Sequence, residues 1–145
     1  MHQRAMVRIT AELDRQLSDD LTALADVEVL IDASFPPTVR APDVVVVPSA
    51  RATLSPTRLD AADVLLAVEI VSPGTGRTDR ITKLAEYAAA VIDHYWLVDL
   101  DPAITLTAYL LVDGDYEEVA HGTDVIDLAT PAPVRLDLNT VLTRR

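Results

Sequence analysis

The sequence predicts an α/β domain, a mixed β-sheet with helices packed on it. Three observations carry that prediction. An amphipathic stripe with helical spacing fills the N-terminal part, two short and almost purely apolar runs follow it, and a second amphipathic segment leads into several strands and a tight hairpin. The order helix, strands, helix, strands suits helices layered on a mixed sheet.

Met6, Ile9, Leu13, Leu17, Leu21 and Leu24 recur at steps of three and four, with Arg4, Arg8, Glu12 and Arg15 elsewhere on the surface, so most of the first 24 residues are predicted helical. Residues 27–31 read as a strand that Phe35-Pro36-Pro37 stops. Asp43 opens Val44-Val45-Val46-Val47, a buried strand bracketed by Pro42 and Pro48. Residues 64–71 form a longer apolar run broken only by Glu69, and Ser72-Pro73-Gly74-Thr75-Gly76 ends it. Residues 78–91 form the second helix, whose small, Ala-rich face of Ile81, Leu84, Ala85, Ala88 and Ile92 suits close packing on a sheet. Residues 95–98 and 104–112 are strands. Asp113-Gly114 is a two-residue hairpin turn into a strand over 116–120, and residues 134–138 add an edge strand.

At 145 residues the chain has the length of one domain, residues 1–145, with enough material for one core. The absence of cysteine excludes disulfides, thiolate metal sites and a cysteine nucleophile, so any metal sits on oxygen or histidine. No signal pattern opens the chain, and its apolar runs fall far short of the roughly 20 residues of a membrane helix. A cytoplasmic protein without membrane attachment is expected. The formal charge of −11 counts against simple DNA binding, which relies on basic side chains. It does not count against a metal enzyme, whose carboxylates take up a cation before meeting a phosphate.

Glu69 is the most informative residue. An unpaired carboxylate inside Val64-Leu65-Leu66-Ala67-Val68-Glu69-Ile70-Val71 costs on the order of several kcal/mol, against a total domain stability of about 5–15 kcal/mol. It therefore needs a partner or a cleft. An arginine partner or water at the strand end would suffice for Glu69 alone, and Asp43 alone reads as a turn residue after Pro42. Together they say more. If their strands are antiparallel neighbours, the start of one and the end of the other bring both carboxylates to one site. Two hard oxygen ligands suit Mg²⁺ or Mn²⁺, which supports phosphodiester hydrolysis by polarising a phosphate oxygen and acidifying a bound water.

Pro42-Asp43, then Val68-Glu69-Ile70-Val71-Ser72-Pro73-Gly74-Thr75, then Asp79, Lys83 and Tyr87, then Tyr95-Trp96-Leu97-Val98-Asp99 resemble the restriction endonuclease family called Uma-two, within the PD-(D/E)xK nuclease superfamily. The resemblance covers nearly the whole chain. It implies a restriction-endonuclease-like mixed β-sheet flanked by α-helices and a metal-dependent endonuclease hydrolysing DNA phosphodiester bonds. It also implies Asp43, Glu69 and the Ile70 carbonyl as ligands of Mg²⁺ (or Mn²⁺). The superfamily's usual lysine position, two residues after the acidic one, holds Val71 here. The family pattern moves that lysine to the following helix, which points to Lys83 as the third catalytic residue beside Asp43 and Glu69.

Lys83 is also the only lysine in a chain with 11 arginines. Its compact ammonium can approach a water or phosphate where a guanidinium fork would not fit. At about 100° per residue it lies about 40° from Asp79 and roughly 150° from the Ala88 side that should face the core. The competing reading is a solvated Asp79–Lys83 pair of about 0.3–0.5 kcal/mol. Tyr87 continues the Lys83 face as a cleft wall, and Arg77, Arg80 and Tyr87 are the candidate substrate contacts, with solvated helix-start charges as the alternative for the arginines. His94 and His121 read as surface or edge residues. His2 stands where relatives carry a similar His-Gln-Arg at the start of the first core helix. Those relatives usually have a preceding acidic segment that this chain lacks, and an edge so exposed favours a homodimer, which also suits two cuts in a duplex. Two other readings remain: a catalytically inactive nuclease-fold module acting through protein–protein or self association, and a small-molecule phosphohydrolase on the same metal site.

Overall fold

The computed structural model describes residues 1–55, 57–71 and 77–143, and the side chains of all of these except 77–79. The chain opens with α1 (His2–Gln16), β1 (Leu21–Ala25), β2 (Glu28–Asp32), β3 (Thr38–Arg40), β4 (Val44–Pro48), the single turn α2 (Ser49–Ala52) and β5 (Arg58–Asp60). It continues with β6 (Leu66–Val71), α3 (Arg77–Ala89), β7 (His94–Asp99), β8 (Thr105–Val112), β9 (Asp115–Gly122), β10 (Val125–Leu128) and β11 (Val134–Asp137).

Six strands form the main sheet in the order β1-β4-β6-β7-β8-β9. It is mixed, because β6 and β7 run parallel with α3 as their crossover while the other neighbours are antiparallel. At the β8–β9 hairpin Asp113 and Gly114 both have positive φ, 50° and 86°, as a two-residue turn that follows the sheet's twist requires. A small sheet of β3-β2-β5 and a ladder of β10 with β11 complete the fold.

Three expectations need correction. The first helix ends at Gln16, and Leu21 and Leu24 lie on β1. Ser18-Asp19-Asp20 breaks the helix because short polar side chains compete for the backbone there, although the apolar spacing runs on. The edge strand expected over 134–138 forms as β11, but it pairs only with β10 and does not edge the main sheet. The inward face of α3 is also rotated from the one expected. Tyr87 is fully buried, Leu84 packs beside it, and Ile81 is 57% exposed. A purely apolar count missed this because the surface facing α3 is partly polar.

Each side of the main sheet has its own core. On one side Ala5, Ile9 and Leu13 of α1 meet Val44, Val46, Leu66, Val68, Trp96 and Val98. On the other, Val45, Val47, Ala67 and Tyr95 meet Tyr87 and Ile92. Along β4, β6 and β7 residues alternate between the two, as pleating demands.

Candidate active site

The antiparallel pairing of β4 with β6 sets Val44 opposite Val68, and one further step along that register sets Asp43 opposite Glu69. Both carboxylates then fall on the α3 side, in phase with Val45 and Ala67. Glu69 is 5% exposed and is the only buried charged or polar residue among those described.

Each carboxylate is held by the fold. Asp43 Oδ2 accepts the Ile70 backbone N–H at 2.7 Å, and its Oδ1 lies 3.0 Å from His2 Nε2 at the start of α1. Glu69 Oε1 accepts the Tyr87 hydroxyl at 2.5 Å, and its Oε2 lies 3.6 Å from Lys83 Nζ. Lys83 and Tyr87 sit one helical turn apart on α3, so one helix supplies both partners. These groups open on a cleft of about 190 Å³ whose walls include His2, Asp43, Glu69, Ile70, Arg80 and Lys83. Arg80 also reaches Asp99 at the end of β7, at 3.8 Å.

Burial raises the pKa of Glu69 above the usual carboxylate value. The Tyr87 hydrogen bond and the Lys83 charge oppose that rise, and Asp43 adds to it. Burial also pushes the Tyr87 hydroxyl far upward, helped by the charge of Glu69, so it stays a protonated donor. The pocket therefore holds a carboxylate whose charge is poorly solvated, a cost that nearby positive charge relieves.

Asp43, Glu69, Ile70, Arg80 and Lys83 are thus brought to one cleft. Tyr87 has no exposed surface to offer a substrate, so its expected role as a substrate contact is replaced by that of a buried donor that orients Glu69. Lys83 points at Glu69 instead of lying on a flank away from the sheet. The Asp79–Lys83 pair, the Arg77 side chain and the segment 72–76 lie outside the described residues. The sequence alone assigns His2 no chemical role. A histidine at a helix start gives no local sign of the strand it will meet, and only the packing of α1 across the sheet brings it to Asp43.

The residues fit a hard divalent cation with few protein ligands. Among the described residues no three or more His, Cys, Asp or Glu side chains cluster as a metal site. Mg²⁺ commonly keeps several waters and takes only one or two carboxylates, so the Asp43 and Glu69 pair with a backbone carbonyl is an adequate set.

The model of the family described as "Putative restriction endonuclease" (Uma2) matches residues 1–140. A crystal structure described as that of a putative nuclease belonging to DUF820 from Anabaena variabilis ATCC 29413 superposes with a TM-score of 0.71. It is 15% identical, and the match covers 97% of this chain and 79% of that one, so the two share the restriction-endonuclease-like fold. Among proteins with curated descriptions, none matches this chain.

Proposed function

Because the chain belongs to the Uma2 restriction endonuclease family, we propose that it is a Mg²⁺- or Mn²⁺-dependent nuclease that hydrolyses DNA phosphodiester bonds at the Asp43, Glu69 and Lys83 cleft. The observation that carries this reading is the burial of Glu69 beside Asp43 with a lysine at 3.6 Å. A buried carboxylate with raised proton affinity, set beside a second, half-buried one, is costly unless a cation is bound there.

In this reading Asp43, Glu69 and the Ile70 carbonyl hold the metal. When bound, the metal polarises a phosphate oxygen and acidifies a water. The chain's own groups do the rest. The Ile70 N–H and His2 fix the Asp43 carboxylate, and the Tyr87 hydroxyl fixes Glu69, so neither must reorganise during the reaction. Lys83 Nζ, half-buried at the cleft wall, places positive charge where negative charge builds on the phosphoryl oxygens. Arg80 at the rim holds a neighbouring phosphate through its guanidinium fork, with Arg77 a second candidate. For cutting both strands of a duplex two copies would work together. The outer strands β1 and β9 are the edges along which a homodimer would form.

The test is cleavage of supercoiled plasmid and of short linear DNA with Mg²⁺, Mn²⁺ or EDTA. Metal-dependent nicking is expected, reduced at least about a thousandfold in Glu69→Gln, which removes charge at the metal, and about a hundredfold or more in Lys83→Met. The charge of −11 favours one rival, an inactive module that works by association. Absence of DNA cleavage at any metal concentration overturns the nuclease reading, and metal-dependent hydrolysis of nucleotides then separates a small-molecule phosphohydrolase from that inactive module.

A further inference from the structure

Beside the cleft, on the same side of the sheet, lies a second recess of about 200 Å³ lined by Arg80, Ile81, Leu84, Tyr95, Leu97 and Tyr109. Arg80 and Tyr95 line both cavities, so the two adjoin. A water takes up about 30 Å³ in the liquid, so the recess is on the scale of one planar heterocycle. We infer that it receives an unpaired DNA base adjacent to the phosphate being cut. This rests on the nuclease reading and adds a substrate preference to it.

The lining chemistry selects a base over other parts of a nucleotide. All four tyrosines of the chain, Tyr87, Tyr95, Tyr109 and Tyr116, join in one cluster of ring contacts running from beneath Glu69 to β9. Tyr109 stands in register with Tyr95, their ring centroids 6.0 Å apart, and stays half-exposed at the recess. Ile81 presents an apolar side chain that is 57% exposed at the rim, where packing against the core does not require it. Glu118 is the register partner of Tyr109 on β9, and its charge raises the pKa of the Tyr109 hydroxyl after burial does. A phosphate is therefore repelled at that end, while Arg80 attracts one at the end shared with the cleft. A base in the recess with its phosphate toward Arg80 satisfies both.

Net charge points the same way. Tight duplex binding relies on many phosphate contacts, which a chain of −11 is poorly equipped to make. Stacking of a base on an aromatic ring needs no net positive charge and tolerates any sequence. Bases inside a duplex are stacked on one another and cannot enter the recess, so the preference is for unpaired positions.

The experiment compares metal-dependent cleavage rates on a blunt duplex, on the same duplex carrying a three-nucleotide bulge, and on that bulge made abasic. The intact bulge is expected to be cut about tenfold or more faster than the duplex, the lower range of what one stacked base contributes, and the abasic bulge to lose that advantage. Tyr109→Ala removes the preference mainly through KM, and Tyr109→Phe keeps it. Ile81→Glu, at an exposed position where folding is not at stake, removes it independently. Equal rates on all three substrates, or a preference that survives both Tyr109→Ala and Ile81→Glu, overturn this inference and leave the nuclease reading standing. Absence of cleavage on every substrate overturns both.

Discussion

Along β6, Val68 and Ile70 face α1 while Ala67 and Glu69 face the side of α3, so neighbouring residues on one strand meet two different environments. β7 repeats the contrast, with Trp96 and Val98 packed on the α1 side and Tyr95 and Leu97 toward α3. The α1 side is an apolar core. The α3 side accommodates a buried carboxylate, a lysine and the tyrosine cluster. Alternation along one sheet thus gathers the carboxylates and Lys83 on the α3 side, while apolar packing supports both sides. The α1 core holds the strands rigid, and that rigidity holds Asp43 and Glu69 opposite each other.

Substitutions on the two sides should therefore fail differently. The largest expected effect on stability is on the α1 side. Trp96→Ala, at a position 1% exposed, is expected to cost about 3–5 kcal/mol, roughly 10–15 °C in melting temperature for a chain of this size. Metal affinity per folded molecule should stay unchanged, and a calorimetric melt paired with a metal titration reads both. If Trp96→Ala abolished metal binding while the protein remained folded, the division between the two sides would be wrong.

Tyr87→Phe sharpens the contrast from the α3 side. It leaves Glu69 Oε1 without its donor, and a hydrogen bond to a charged group contributes about 1.5–3 kcal/mol. Because the ring stays in place, the loss should appear in metal affinity and cleavage rate at least as clearly as in melting temperature. A variant with wild-type cleavage would show that Glu69 needs no such positioning.

The smallest effect has the opposite sign on the α3 side. The pKa of Glu69 is raised in the folded protein above the ordinary 4.5, chiefly by burial. Between 4.5 and that higher value the folded state binds more protons than the unfolded one. The metal-free stability that Glu69 contributes is thus fully present below about 4.5 and lost as pH rises through the folded value. In EDTA, Glu69→Gln should melt above wild type at pH 8, with the gap closing toward pH 4.5. A gap independent of pH would show that Glu69 is not strained by its burial.

Much of this was legible in the sequence, for stated physical reasons. A run of valines between prolines and an apolar run interrupted by one glutamate mark β4 and β6, because only burial makes such runs worthwhile. The Asp113-Gly114 turn fixes the hairpin by local conformation alone. Asp43 and Glu69 were recognisable as a pair through the cost of burying Glu69. The end of α1 was not legible, since Leu17, Leu21 and Leu24 keep a helical period across the break. The inward face of α3 was hidden because periodicity assumes an apolar partner surface, whereas Lys83 and Tyr87 face a carboxylate. His2 and the tyrosine cluster depend on contacts between distant elements, which no local pattern encodes.

The proposed nuclease chemistry stands on Asp43 and Glu69 jointly holding a divalent cation. Its most direct test is the anomalous difference map of a crystal soaked in Mn²⁺. A peak within coordinating distance of both carboxylates, with Lys83 retained at the wall of the same cleft, is the predicted result. Manganese bound elsewhere on the chain, with that cleft still spanned only by the Lys83 and Tyr87 contacts to Glu69, would contradict it.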